Sequence, residues 1–167
     1  EQSLLEKLKK TIKGDISSDD ETLKLYSHDA GLFEVKPQVV VFPKNDEDVK
    51  ALVNFVSKNK KDYPSLSLTG RSAGTDMSGG SINESIIVAF QKYFTKIGEL
   101  HDDVSTVQPG VFYRDFEVET LKHGLILPCY TASKNLCALG GMIGNNAAGE
   151  KTLQYGKMEN FVEELKV

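Results

Sequence analysis

The sequence predicts an α+β fold in which a small βαβ lobe with a parallel sheet packs against a mostly antiparallel β lobe with helices, leaving a cleft between them. Three observations carry that expectation. Between residues 38 and 69 a β-branched apolar run, an amphipathic helix and a second strand follow one another. Short apolar runs separated by turn residues occupy 85–108. Two glycine-rich runs, 70–80 and 140–149, belong to neither pattern.

Each element has its own reason. Ser3-Leu4-Leu5-Glu6 has the capping-box form, and Leu4, Leu8 and Ile12 follow at helical spacing, with Gly14 as the stop. Residues 15–37 are polar and irregular, with Tyr26, His28 and Asp29 ahead of an extended segment. Val39-Val40-Val41-Phe42, ended by Pro43, suits a buried strand. Asn45 caps a helix whose first turn is acidic (Asp46, Glu47, Asp48), matching the helix dipole, and whose apolar face is Val49, Leu52, Val53 and Val56. Ser65-Leu66-Ser67-Leu68-Thr69 reads as the next strand, so the two strands should be parallel with a right-handed crossover. Residues 85–90, 95–100 and 104–108, with His101-Asp102-Asp103 between the last two, favour antiparallel hairpins. A helix over 112–123 should stop at Gly124, and 161–167 resembles a final strand.

At 167 residues the chain is one domain's worth of polypeptide, with 40% hydrophobic and 26% charged residues. A net charge of −4 with no basic stripe argues against a nucleic-acid partner. Lys58, Lys60 and Lys61 read as the solvated end of a helix. No segment approaches the roughly 18 apolar residues that a membrane-spanning helix needs. The first residues lack the basic–apolar–small pattern of a secretory signal, which points to a cytoplasmic protein. The missing initiator Met, and an end inside an apparent strand, suggest a piece of a longer protein. Cys129 and Cys137 lack metal-type spacing and read as reduced packing cysteines; the separated His28, His101 and His123 give no metal site.

The strand at 65–69 runs into Gly70-Arg71-Ser72-Ala73-Gly74-Thr75-Asp76-Met77-Ser78-Gly79-Gly80. Glycines permit positive φ and close backbone approach, and successive N–H groups in such a loop form an anion-binding concavity. Ser72, Thr75 and Ser78 add hydroxyls and Arg71 adds a fixed charge, either as an anion contact or as a solvated loop residue. A plain Gly/Ser surface loop is the competing reading. A Walker loop is excluded because Gly74 is followed by Thr75-Asp76 rather than Lys-Ser/Thr, and a dinucleotide fingerprint because the spacing is wrong and no helix follows.

The order of these pieces resembles the FAD-binding domain of the vanillyl-alcohol oxidase/p-cresol methylhydroxylase superfamily, in its glycolate oxidase subunit and D-lactate dehydrogenase branch. The matching residues are Val41-Phe42-Pro43, Asp48-Val49, Thr69 through Thr75 with Ser78-Gly79-Gly80, Val107-Gln108-Pro109-Gly110, Pro128, Leu139 through Gly149, and Tyr155-Gly156. The resemblance covers about residues 24–167 in consistent order.

It implies that Gly70, Arg71, Ser72, Ala73, Gly74 and Thr75 wrap the FAD pyrophosphate, and that Thr69, Ser78 and Gly79 also bind the cofactor. Pro109, Gly110, Pro128, Gly140, Gly141, Gly144, Asn145, Asn146 and Ala147 would line the rest of the FAD path. Asn145 and Asn146 could equally be turn formers, and Asp76 reads as fixing the loop. Members with covalent FAD carry a histidine in the first loop; residues 70–80 contain none, which implies non-covalent FAD, with a thioether to Cys137 as a minor alternative. The implied reaction moves a hydride from the α-carbon of a 2-hydroxy acid to the flavin, followed by reoxidation through a quinone, an iron–sulfur partner or oxygen. Catalytic residues stay unassigned, since the family supplies them largely from a C-terminal cap domain. The expected layout is a first lobe over about 1–90 and part of a second over 91–167. A catalytically silent nucleotide-binding or regulatory module, and a structural domain whose glycines serve only turns, are the alternatives.

Overall fold

The apolar run at 39–42 can be satisfied only where both of its faces are dry, and the fold is organised around that need. The computed structural model describes residues 4–167. Its elements are α1 (Leu4–Lys9), β1 (Asp15–Ser17), α2 (Asp20–Leu25), β2 (Val39–Phe42), α3 (Asp46–Asn59), β3 (Leu68–Arg71), β4 (Ile86–Ala89), β5 (Ile97–His101), β6 (Val104–Val107), α4 (Tyr113–Leu121), α5 (Leu139–Gly144), α6 (Thr152–Tyr155) and a 3₁₀ turn (Met158–Phe161). Four strands form one mixed sheet in the order β1-β2-β4-β3. β1 is antiparallel to β2, while β2 and β3 each run parallel to β4.

Side-chain alternation assigns the two faces. Val39, Val41, Ile86 and Val88 point one way and pack with Leu8 of α1 and with Leu52 and Phe55 of α3. Val40, Ile87 and Ala89 point the other way, against Leu23 of α2. Each fully buried aliphatic side chain here contributes about 1.5–3 kcal/mol. α3 begins where Asn45 accepts the Asp48 N–H at 3.0 Å. The Asp48 carboxylate is itself buried, and its two oxygens accept the Lys13 and Lys44 N–H groups at 2.8 and 2.9 Å. A second core, made of Val111, Tyr113, Cys129, Tyr130, Cys137, Leu139 and Met142 with Ala147 and Met158, lies under α4, α5 and the 3₁₀ turn.

Several expectations are corrected. Residues 85–90 do not open a hairpin: β4 is the buried strand between β2 and β3, at most 4% exposed along its length. Its unbroken apolar run could not leave one face in water. The two strands of the βαβ unit therefore share a parallel sheet without touching. The second half of the chain is not mostly antiparallel: the β5–β6 hairpin and a Phe112–Ala138 bridge are its pairings among the described residues. Helices and turns fill the remainder. β1 and α2 arise in the stretch read as irregular, α2 being capped by Asp19, which accepts the Thr22 N–H at 2.9 Å. Residues 162–167 form no strand. α1 ends at Lys9, ahead of Gly14, and the capping box through Ser3 lies outside the described residues. The buried face of α3 is Asp48, Leu52 and Phe55, whereas Val53 is 55% exposed. The helix over 112–123 is realised as α4, with Gly124 at φ +72° just beyond its end.

Candidate functional site

β3 feeds directly into the first glycine run. The Arg71 carbonyl accepts the Phe90 N–H at 3.0 Å, and the chain then leaves the sheet. Arg71 is not solvated: the residue is 9% exposed, and its guanidinium carbon lies 5.1 Å from the centre of the Tyr26 ring. Among the described residues its guanidinium makes one hydrogen bond, from Nη1 to the Ser81 carbonyl at 3.4 Å, and no ion pair with a carboxylate. Burial lowers its pKa from the ordinary value, and the negative charges of Asp29 and Asp76 push back. Gly74, at φ +67°, lies against this cation: a Cβ there would stand 2.5 Å from the guanidinium carbon.

Two carboxylates shape the loop without reaching the arginine. Asp76 Oδ2 accepts the Ser78 hydroxyl at 3.1 Å and the Gly80 N–H at 3.0 Å. Burial opposes the ionisation of Asp76, but the Gly80 N–H and Ser78 hydroxyl outweigh it and hold the carboxyl below its usual range. Asp29 reaches in from another segment and accepts the Gly79 N–H at 2.9 Å. Between these anchors, the N–H groups of Ser72, Ala73, Gly74 and Thr75 find no acceptor among the described residues. Consecutive free N–H groups beside a buried cation suit an anionic ligand with several oxygens.

The second glycine run meets the first. Ser72 Oγ donates to the Pro109 carbonyl at 2.9 Å, and the Gly140 N–H donates to the same carbonyl at 3.0 Å. A Cβ on Gly140 would lie 2.5 Å from Pro109 Cβ and 2.6 Å from Ser72 Oγ, so only glycine allows this approach. Gly141 would place a Cβ 3.9 Å from Ser72 Cβ. Gly110 is wedged against the Phe90 and Phe94 carbonyls, and its N–H donates to the latter at 2.8 Å. Ser72, Pro109, Gly140 and Gly141 thus come together from three separate segments.

Other expected residues lie elsewhere. Thr69 sits in β3, where its hydroxyl accepts from Asn83 at 2.8 Å, and Gly70 faces the Phe90 ring. Pro128 and Ala147 are buried, Ala147 in the second core. Gly144 and the exposed Asn145 close α5, and Asn146, at φ +45°, turns the chain while its Oδ1 accepts the Glu159 N–H at 3.0 Å. Two cavities, of about 520 and 610 Å³, are lined by Ser67, Thr69 and Asn83 and by Ile97, Phe116 and His123 respectively; neither includes residues 70–75 or 140–147. Among the described residues no helix is long and apolar enough to cross a membrane.

Sequence reasoning named Tyr26 and Asp29 without giving them a part in the loop. The available signal was an aromatic and an acid three residues apart in an otherwise polar stretch.

Known proteins resemble the chain in sequence and in shape. It is 33% identical over 156 residues to D-2-hydroxyglutarate dehydrogenase of Haemophilus influenzae, covering 92% of this chain and 15% of that protein. It is 33% identical over 129 residues to D-lactate dehydrogenase of Archaeoglobus fulgidus, covering 76% of this chain and 28% of the relative. The chain thus spans well under half the length of these relatives. Alkyldihydroxyacetonephosphate synthase shares the fold with a TM-score of 0.79 at 18% identity, over 98% of this chain and 32% of the synthase. The sequence profile of the FAD binding domain family matches residues 37–167, and the chain belongs to that family.

Proposed function

We propose that this chain is the FAD-binding part of an oxidoreductase acting on a 2-hydroxy acid of the D-lactate or D-2-hydroxyglutarate type. The observation that carries the reading is the meeting of the two glycine runs at Ser72, Pro109 and Gly140 beside a loop with unused N–H groups and a buried cation. The N–H groups of residues 72–75 hold the pyrophosphate, and Arg71 balances its charge from within the loop rather than from solvent. Asp76 keeps that loop closed. The separate cores of the two halves support a first lobe over about 1–90 and a second from 91 onward, with FAD in the cleft between them. FAD, when bound, supplies the redox chemistry, and the protein supplies binding, orientation and exclusion of water. The absence of histidine from residues 70–80 supports non-covalent attachment. The substrate class is carried by the names of the dehydrogenases that the chain resembles.

The test uses the full-length gene product. It should be yellow, with bands near ~370 and ~450 nm that bleach on adding D-lactate or D-2-hydroxyglutarate, as expected of an oxidised flavin being reduced. Acid precipitation should release FAD into the supernatant. Uptake of FAD without bleaching by any 2-hydroxy acid would remove the substrate assignment, and flavin mass retained on the denatured chain would remove the non-covalent one.

A further inference from the structure

The segment holding Tyr26 and Asp29 touches the loop at three points that the cofactor reading leaves unexplained. We propose that Tyr26 and Asp29 are positioning residues for the anion-binding loop, holding Arg71 and Gly79 in place from outside it; this rests on the FAD reading above. Tyr26 closes α2, its N–H donating to the Thr22 carbonyl at 3.1 Å. Phe42 fixes its ring edge-on, with centroids 5.8 Å apart and an interplanar angle of 81°. That ring carries the Arg71 guanidinium at 5.1 Å. Because Gly74 lies against the same guanidinium, the place of the Tyr26 ring sets where the loop backbone crosses the cation.

Asp29 acts through hydrogen bonds. Its Oδ1 accepts the Gly31 N–H at 2.7 Å and its Oδ2 the Gly79 N–H at 2.9 Å, while the neighbouring Ala30 N–H donates to the Asp76 carbonyl at 2.9 Å. The loop is thereby pinned at its charge and at its last turn, both outside residues 72–75, whose N–H groups stay available. An Asn at position 29 could accept only one of the two N–H groups and would turn an amino group toward the other.

Titrating the full-length gene product with FAD, ADP and riboflavin tests the assignment. Tyr26→Leu and Asp29→Asn should each weaken FAD and ADP by about tenfold, the scale of a lost cation–π contact or charged hydrogen bond. Riboflavin, which lacks the pyrophosphate, should bind both variants as it binds the wild type. Tyr26→Phe keeps the ring and should bind FAD within about twofold of wild type. Failure of the wild type to take up FAD or ADP would bring down the cofactor reading and this inference together. Wild-type FAD affinity in Tyr26→Leu and Asp29→Asn, or an equal loss for riboflavin, would overturn the positioning role alone.

Discussion

Replacing Gly140 by alanine should destabilise the protein, although alanine is ordinarily the better helix residue. Gly140 lies inside α5 with ordinary helical backbone, where Gly→Ala alone gains about 1 kcal/mol. Here the new methyl would stand 2.5 Å from Pro109 Cβ, 2.6 Å from Ser72 Oγ and 2.7 Å from the Pro109 carbonyl oxygen. Pro109 cannot retreat freely, because Gly110 is already wedged against the Phe90 and Phe94 carbonyls. Ser72 can rotate, but only by giving up its hydrogen bond to Pro109, a loss of about 1 kcal/mol. Overpacking adds about 1–3 kcal/mol, so the net change is a loss of about 1–3 kcal/mol. Gly144 in the same helix has nothing within 4 Å of a Cβ, and Gly144→Ala should gain up to about 1 kcal/mol. Thermal unfolding followed by circular dichroism resolves the pair, at about 2–4 °C for each kcal/mol in a domain of this size. If Gly140→Ala melts at or above Gly144→Ala, the close approach of α5 to Ser72 and Pro109 is wrong.

Further outcomes follow from other contacts. Asp48→Ala removes the acceptor of both the Lys13 and Lys44 N–H groups and should cost about 2 kcal/mol in urea unfolding, while Asp48→Asn, which keeps one acceptor, should cost less. The Ser17 hydroxyl, with the Thr22 N–H and hydroxyl, lowers the Asp19 pKa from 3.8 to about 2, so its contribution is fully present above pH 3.8 and is lost as the pH falls toward 2. Asp19→Asn should therefore flatten the fall in melting temperature across that window, a difference that scanning calorimetry at a series of pH values would detect. Burial pushes the Cys129 thiol up to about 11, and Cys137 is 4% exposed. Neither should react with a disulfide reagent at pH 8 until the protein is unfolded, a result that absorbance after mixing would reveal.

Much of the fold was legible where a signal was local. Asn45 and the acidic turn after it mark α3, Gly124 marks the end of α4, and the His101-Asp102-Asp103 turn marks the β5–β6 hairpin. What was not legible depended on partners distant in sequence. Residues 85–90 carry the same unbroken apolar signature as 39–42, yet pairing between β2 and β3 cannot be read from either run, because it is a property of the sheet. α2 is short, and its one buried residue, Leu23, gives no period to detect. In the site, the glycine runs were visible from composition, but the contact of Gly140 with Ser72 was not. The burial of Arg71 was not visible, because Tyr26, which lies over its guanidinium, is 45 positions earlier and no spacing rule pairs the two. Asn146 takes the turn that one of its two readings named, at φ +45°.

The place of β4 in the sheet has a consequence for how the protein is made. Until residue 89 has left the ribosome, the edges of β2 and β3 that β4 will join stay exposed and unpaired. Chains that terminate or stall between residues 72 and 85 would carry both sticky edges into the cell without the strand that joins them, and chaperones or proteases would be their first partners.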